Sequence, residues 1–86
     1  MPYQLRYLPA AAKAIQKLPT VTQRRILERL ETLASNPRAH GSIKLTGQEA
    51  YRIRAGDYRI IYTIEDKQLV VLVINVGNRR DVYRRM

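Results

Sequence analysis

The chain has no cysteine, so a disulfide framework, a thiolate metal site and a cysteine nucleophile are all excluded, and the expected setting is the reducing cytoplasm. Its longest uninterrupted apolar run, Leu69 to Ile74, is far shorter than the roughly 20 residues needed to cross a bilayer. Met1-Pro2-Tyr3 begins no signal peptide, so a soluble protein with no membrane partner is expected. No internal repeat, low-complexity tract or linker is visible. Acids are scarce: 7 Asp and Glu stand against 16 Lys and Arg, giving a formal net charge of +9. Such an excess attracts nucleic acid, acidic proteins or anionic membrane alike, and charge alone does not choose among them.

What is present reads as one folded domain, 1–86. A chain of 86 residues that is 45% hydrophobic has room for one modest core and is unlike the apolar-poor composition of disordered chains. Tyr3-Gln4-Leu5-Arg6-Tyr7 alternates and predicts a short strand ending before Pro9. From Pro9 to Leu18, Ala11, Ala14, Ile15 and Leu18 recur at helical spacing, and Pro19 stops the run. Thr20 with Gln23 matches a capping box, and Ile26, Leu27, Leu30, Leu33 and Ala34 then form the stripe of a second helix ending before Pro37. Residues Asn36 to Gln48 read as a loop. Three strands follow, about Ala50 to Ala55, Tyr58 to Ile64 and Gln68 to Asn75, with turns at Gly56-Asp57 and Asp66-Lys67. The expected fold is α+β: a helical hairpin on one face of a small, mainly antiparallel sheet, in the order β-α-α-β-β-β.

A two-residue turn at Gly56-Asp57 sets Ala55 opposite Tyr58, Arg54 opposite Arg59, Arg52 opposite Ile61 and Tyr51 opposite Tyr62. Period two then puts Tyr51, Ile53, Tyr58, Ile60 and Tyr62 under the helices, and Arg52, Arg54 and Arg59 together on the other, solvent-facing side. No acid of these two strands shares that side, and like charges across a ladder destabilise it by up to roughly 1 kcal/mol per pair, so the cluster favours a bound anion. The next hairpin is expected to set Ile74 opposite Arg59, delivering Arg79 and Arg80 to the same end. One helical turn would bring Tyr83 back towards those arginines. Guanidiniums there would neutralise a phosphate while Tyr83 stacks on a base or moves a proton. The competing account is a solvated polar face of arginines. Tyr3, Tyr7, Tyr51, Tyr58 and Tyr62 are expected to pack their rings on the core and leave their hydroxyls wet. His40, the sole histidine, is expected at the surface, and Asp57 in a turn.

The run Tyr51-Arg52-Ile53-Arg54-Ala55-Gly56-Asp57-Tyr58-Arg59-Ile60-Ile61-Tyr62, followed by Val76-Gly77-Asn78-Arg79-Arg80-Asp81-Val82-Tyr83-Arg84, closely resembles the RelE/ParE superfamily of bacterial and archaeal toxins. Lys44-Leu45-Thr46-Gly47 also looks like the family's segment before the second strand. For the RelE branch the resemblance implies the toxin of a type II toxin–antitoxin system: a ribosome-dependent endoribonuclease, independent of metal or other cofactor, that cuts messenger RNA in the ribosomal aminoacyl site. It implies an acidic cognate antitoxin as partner in a hetero-oligomer. By position, the implied catalytic residues are Arg52, Arg54, Arg59, Arg79 and Tyr83, with Arg80, Arg84 and Lys44 as RNA contacts. Arginine stands at 52 and 54 where the best-known RelE pattern has lysine; arginine stays protonated, so the general base is left open. A ParE-like toxin acting on DNA gyrase without nuclease chemistry, and a non-enzymatic nucleic-acid-binding domain, are the other two readings.

Overall fold

A computed structural model describes residues 2–78. Strand β1 is Gln4–Tyr7, and helix α1 runs Pro9–Gln16 with Pro9 in its first turn, where a missing N–H and a fixed φ cost nothing. Helix α2 runs Thr20–Ser35. The capping box expected at Thr20 and Gln23 does not form: Pro19 is the N-cap, without a side-chain cap bond. Gln23 Nε2 instead donates to the Leu18 carbonyl at 2.8 Å and the Gln16 carbonyl at 3.3 Å. The connection between the helices is so short that the open carbonyls ending α1 lie beside the first turn of α2, and the glutamine satisfies them.

Strands β2 (Ile43–Lys44), β3 (Tyr51–Ala55), β4 (Tyr58–Glu65) and β5 (Val70–Asn78) complete a five-stranded sheet of order β1-β5-β4-β3-β2. β1 is parallel to β5, and the other pairs are antiparallel. Strand β2 lies inside the segment read as a loop; two residues are too few to show a period, and only the partner β3 makes them a strand.

Two helices thus cover one face of a mixed sheet. Ile26, Leu30 and Leu33 of α2 meet Ile53, Ile60, Tyr62, Val71, Val73 and Val76 in the main core, with Ala11 and Ile15 of α1. Fully burying one such side chain contributes roughly 1.5–3 kcal/mol before entropy is counted. On the far face a second small cluster holds Ala50 and Ile61, with Leu45 and Ile74 against them. Among the described residues, no helix is long and apolar enough to cross a membrane.

The β4–β5 register differs from the expected one. Residues 66–69 form the turn, with Leu69 at φ 54°, in the left-handed region, so the apolar run that suggested a strand begins inside the turn. A bulge between Ile61 and Tyr62 then skips one β5 residue: Tyr62 pairs with Val73, but Ile61 with Asn75. Both displacements slide β5, and Arg59 faces Gly77 where Ile74 was expected.

Candidate functional site

The site begins at the Gly56-Asp57 turn. Gly56 has φ 63°, a conformation glycine adopts without Cβ strain, and it fixes the expected ladder: Ala55 to Tyr58, Arg54 to Arg59, Ile53 to Ile60, Arg52 to Ile61 and Tyr51 to Tyr62. Ile53, Ala55, Ile60 and Tyr62 enter the main core, so alternation turns Arg52, Arg54 and Arg59 to the far face. Directly opposed Cβ atoms in such a ladder are about 4.5–5.5 Å apart, which puts the side chains of Arg54 and Arg59 alongside each other.

The three arginines are not equally exposed. Arg54 is exposed and Arg52 half-buried, but Arg59 is only 7% exposed, which corrects the expectation of a uniformly solvent-facing trio. This face is not uniformly wet: Ile61, fully buried, follows Arg59 at the next position on the same side. Arginine cannot shed its proton to escape burial, so Arg59 carries a fixed positive charge at the floor of the site. Gly77 opposite it adds no side chain, leaving that flank low. β4 extends one residue further than expected, and its Glu65 falls on the arginine side by alternation. Glu65 is six positions from Arg59, about 20 Å along the strand.

Asn78, the last described residue, pairs with Tyr58, so β5 ends beside the hairpin turn. Arg79, Arg80, Tyr83 and Arg84 lie outside the described residues. Lys44 is not brought to the cluster: it is level with Tyr51, whereas its neighbour Ile43 is level with Arg52. Its ammonium lies 3.9 Å from Glu49. His40 is exposed, as is Asp57 in the turn. Among the described residues, no group of three His, Cys, Asp or Glu side chains is placed to hold a metal ion.

Two other arginines, missed by sequence reasoning, organise the surroundings. Arg29 of α2 donates from Nε to the Arg54 carbonyl at 3.1 Å and from Nη2 to the His40 carbonyl at 3.2 Å, pinning helix, loop and strand together. Its signal was weak: a half-buried arginine adjoining the helix's apolar stripe. Arg38 makes a two-pronged pair with Asp66 at 3.1 and 3.0 Å, and Tyr3 donates its hydroxyl to the same carboxylate at 2.7 Å. Arg38 holds the Asp66 carboxyl below its usual range, with Tyr3 adding to the effect. The Tyr3 hydroxyl is pushed up, chiefly by its bond to Asp66, and the Arg38 guanidinium is also raised, chiefly by Asp66.

Arg38 also lies 5.8 Å from the Tyr51 ring centre, and Tyr51 stacks on Tyr62 at 5.8 Å and 21°. Tyr62 does not leave its hydroxyl wet: it is fully buried and donates to the Pro37 carbonyl at 2.8 Å. Burial pushes its hydroxyl up. Tyr51 and Tyr58 are half-buried against the core as expected, while Tyr7 remains 37% exposed.

Residues 5–83 match the family model described as the ParE toxin of the type II toxin–antitoxin system parDE. A protein of Escherichia coli described as a RelE-like toxin is 36% identical, over 96% of this chain and 92% of its own. The mRNA interferase toxin RelE of Escherichia coli K12 is 33% identical, over 92% of this chain and 85% of its own. The intact Escherichia coli RelBE toxin–antitoxin complex contains a chain that superposes with TM-score 0.79 at 31% identity, over 91% of this chain and 98% of that one. The chain belongs to the RelE/ParE superfamily of type II toxin–antitoxin toxins.

Proposed function

We propose that this protein is a RelE-type toxin: an endoribonuclease that enters the ribosomal aminoacyl site in the cytoplasm, cuts messenger RNA there and stops translation. The observation that carries the reading is the ladder placing Arg54 against Arg59 beside Arg52, with the chain arriving at Asn78 next to them. In the reaction a ribose 2′-hydroxyl attacks the adjacent phosphorus, its proton passes to an acceptor, and the 5′-oxygen leaves and is protonated. The phosphorane gains negative charge, which fixed guanidiniums stabilise more than they stabilise the diester. Arg59 suits that role because it is buried and preorganised; the exposed Arg54 and half-buried Arg52 suit gripping the strand.

Proton transfer is assigned to Tyr83, and the flanking RNA contacts to Arg79, Arg80 and Arg84. Holding the hydroxyl in line can supply several kcal/mol without a strong base. Silencing is assigned to an acidic antitoxin, which the +9 charge favours. The named relative is an mRNA interferase toxin, and the RelBE structure that this chain resembles is a toxin–antitoxin complex. Mapping mRNA ends in a translation reaction tests the reading: new 5′ ends within codons on ribosomes are expected, and intact message under translational arrest rejects it. The match to a ParE family model keeps a gyrase inhibitor as the second reading, for which loss of DNA supercoiling activity with intact message is the expected outcome.

A further inference from the structure

A second basic surface lies around the edge of the sheet from the arginine face. Between α2 and the β3 hairpin is a groove of about 400 Å³ lined by Arg25, Glu28, Arg29, Thr32 and Arg54, with Gly56 at its end. Arg25 and Arg29 are four residues apart on α2, hence on one helix face with Cβ atoms about 5–6 Å apart. Arg29 is fixed by the Arg54 and His40 carbonyls. The tip of Arg25 reaches the hairpin turn: a Cβ added at Gly56 would sit 3.7 Å from Arg25 Nη1. Glu28 is the groove's only acid, and among the described residues no carboxylate comes within 4 Å of Arg25, Arg29 or Arg54. Two guanidiniums, of Arg25 and Arg29, therefore share a concave surface with no carboxylate within 4 Å among the described residues, at the spacing where like charges disfavour a helix.

We propose that this groove is a second phosphate-binding site, taking an RNA phosphodiester that continues from the arginine face around the β3 edge, with Arg25 as the contacting residue at its far end. Arg54 lines the groove and is paired with Arg59 on the arginine face, so the strand that carries it joins the two surfaces. The fork of a guanidinium matches the paired oxygens of a phosphodiester, Arg29 is preorganised by its two carbonyls, and Thr32 stands on the same wall. Phosphate contacts of this kind position a strand and carry no base identity. The occupant is RNA in preference to an acidic protein segment because the groove adjoins the arginine face assigned to the message; Glu28 in the wall repels either anion.

The proposal rests on the RNA-cleaving reading of the chain, and its test separates the two. Arg25 is exposed, so Arg25→Gln and Arg25→Glu should melt within a degree or so of the parent. Binding is measured at several salt concentrations to two probes: a short single-stranded RNA, and ribosomes with an empty aminoacyl site. A message-borne phosphate predicts the loss on the RNA strand, and a ribosomal one predicts it on ribosomes. On whichever probe supplies it, Arg25→Gln should weaken binding about tenfold and lower the slope of log K against log[salt] by about 0.7–0.9, the change for one phosphate contact; Arg25→Glu should weaken it further. Unchanged affinity and slope on both probes overturn the proposal. Failure of the parent protein to cleave message on ribosomes rejects the RNA-cleaving reading instead, whatever the variants bind.

Discussion

Arg38 and Arg54 are both exposed arginines in one small domain, placed in opposite circumstances. Arg38 meets Asp66 with two bonds, Tyr3 completes the carboxylate, and the Tyr51 ring lies beneath the guanidinium. Arg54 stands against Arg59 and beside Arg52, and among the described residues no carboxylate lies within 4 Å of it. At the Arg38 end the charge is consumed in joining the loop after α2 to the β4–β5 turn. On the arginine face Arg54 stands against another cation, at some cost in cross-strand repulsion. One end of the sheet uses cations to hold the fold, and the other holds cations ready for an anion, so substitutions at the two ends should separate stability from activity.

The sharpest break in that comparison falls on proton transfer. No His, Lys or carboxylate flanks Arg54 and Arg59 on β3 and β4, so Tyr83→Phe, which loses only the hydroxyl, should lower the single-turnover cleavage rate about 10²–10⁴-fold. If Phe cleaves normally while Ala does not, Tyr83 stacks on a base and moves no proton. Next in size is the charge itself. Arg59→Ala should cost about 10²–10³-fold in rate, the range for one fixed donor to a developing oxyanion. Burial of Arg59 means that this variant also loses packing, so Arg54→Ala, at an exposed position, supplies the unencumbered comparison: a loss of cleavage with an unchanged melting temperature. Normal cleavage by a folded Arg54→Ala together with Arg59→Ala rejects a catalytic arginine face.

At the other end the effects should appear in stability. Tyr62→Phe leaves the Pro37 carbonyl without its hydroxyl donor inside a fully buried site, and should destabilise the fold by about 1–3 kcal/mol in denaturant unfolding. Cleavage by the remaining folded protein should be unaltered. A Tyr62→Phe variant as stable as its parent would show that the carbonyl finds another donor.

How much of this was legible in the sequence depends on how far apart in the chain the deciding residues lie. The β3–β4 ladder was readable because Gly56-Asp57 is a minimal turn: with two residues there is one register, and period two does the rest. The β4–β5 ladder was not, because Leu69 and Gln68 look like strand residues yet sit in the turn, and a bulge leaves no local mark. Arg59 was placed on the correct side, but its burial was not legible, because alternation alone marks as wet a face on which Ile61, Ala50, Leu45 and Ile74 gather. The Arg38–Asp66 pair joins residues 28 positions apart, and the Tyr3 bond spans 63; nothing in local pattern ties them. Gln23 followed the capping-box spacing, but its side-chain amide donates to carbonyls at and just beyond the end of α1.

The smallest expected effect concerns Asp66, which is exposed and ion-paired at the surface, where such contacts contribute modestly. Its carboxyl titrates below the ordinary 3.8, first because of Arg38 and then because of Tyr3. A group whose folded value is depressed contributes stability that is fully present above its unfolded value and is lost as pH falls through the folded one. The Tyr3 hydroxyl has the opposite sign: raised above 10.0 chiefly by Asp66, it contributes below that value and loses the contribution as pH rises through its folded value. Asp66→Asn keeps an oxygen for Tyr3 but no charge for Arg38. Its melting temperature should therefore lie a little below the parent's from about pH 5 up to 8, and the two should converge as pH falls below 3.8. A gap that persists unchanged at pH 2 to 3 would mean that Asp66 acts through its shape and hydrogen bonds, and that the charge match at this end of the sheet contributes nothing to holding the fold.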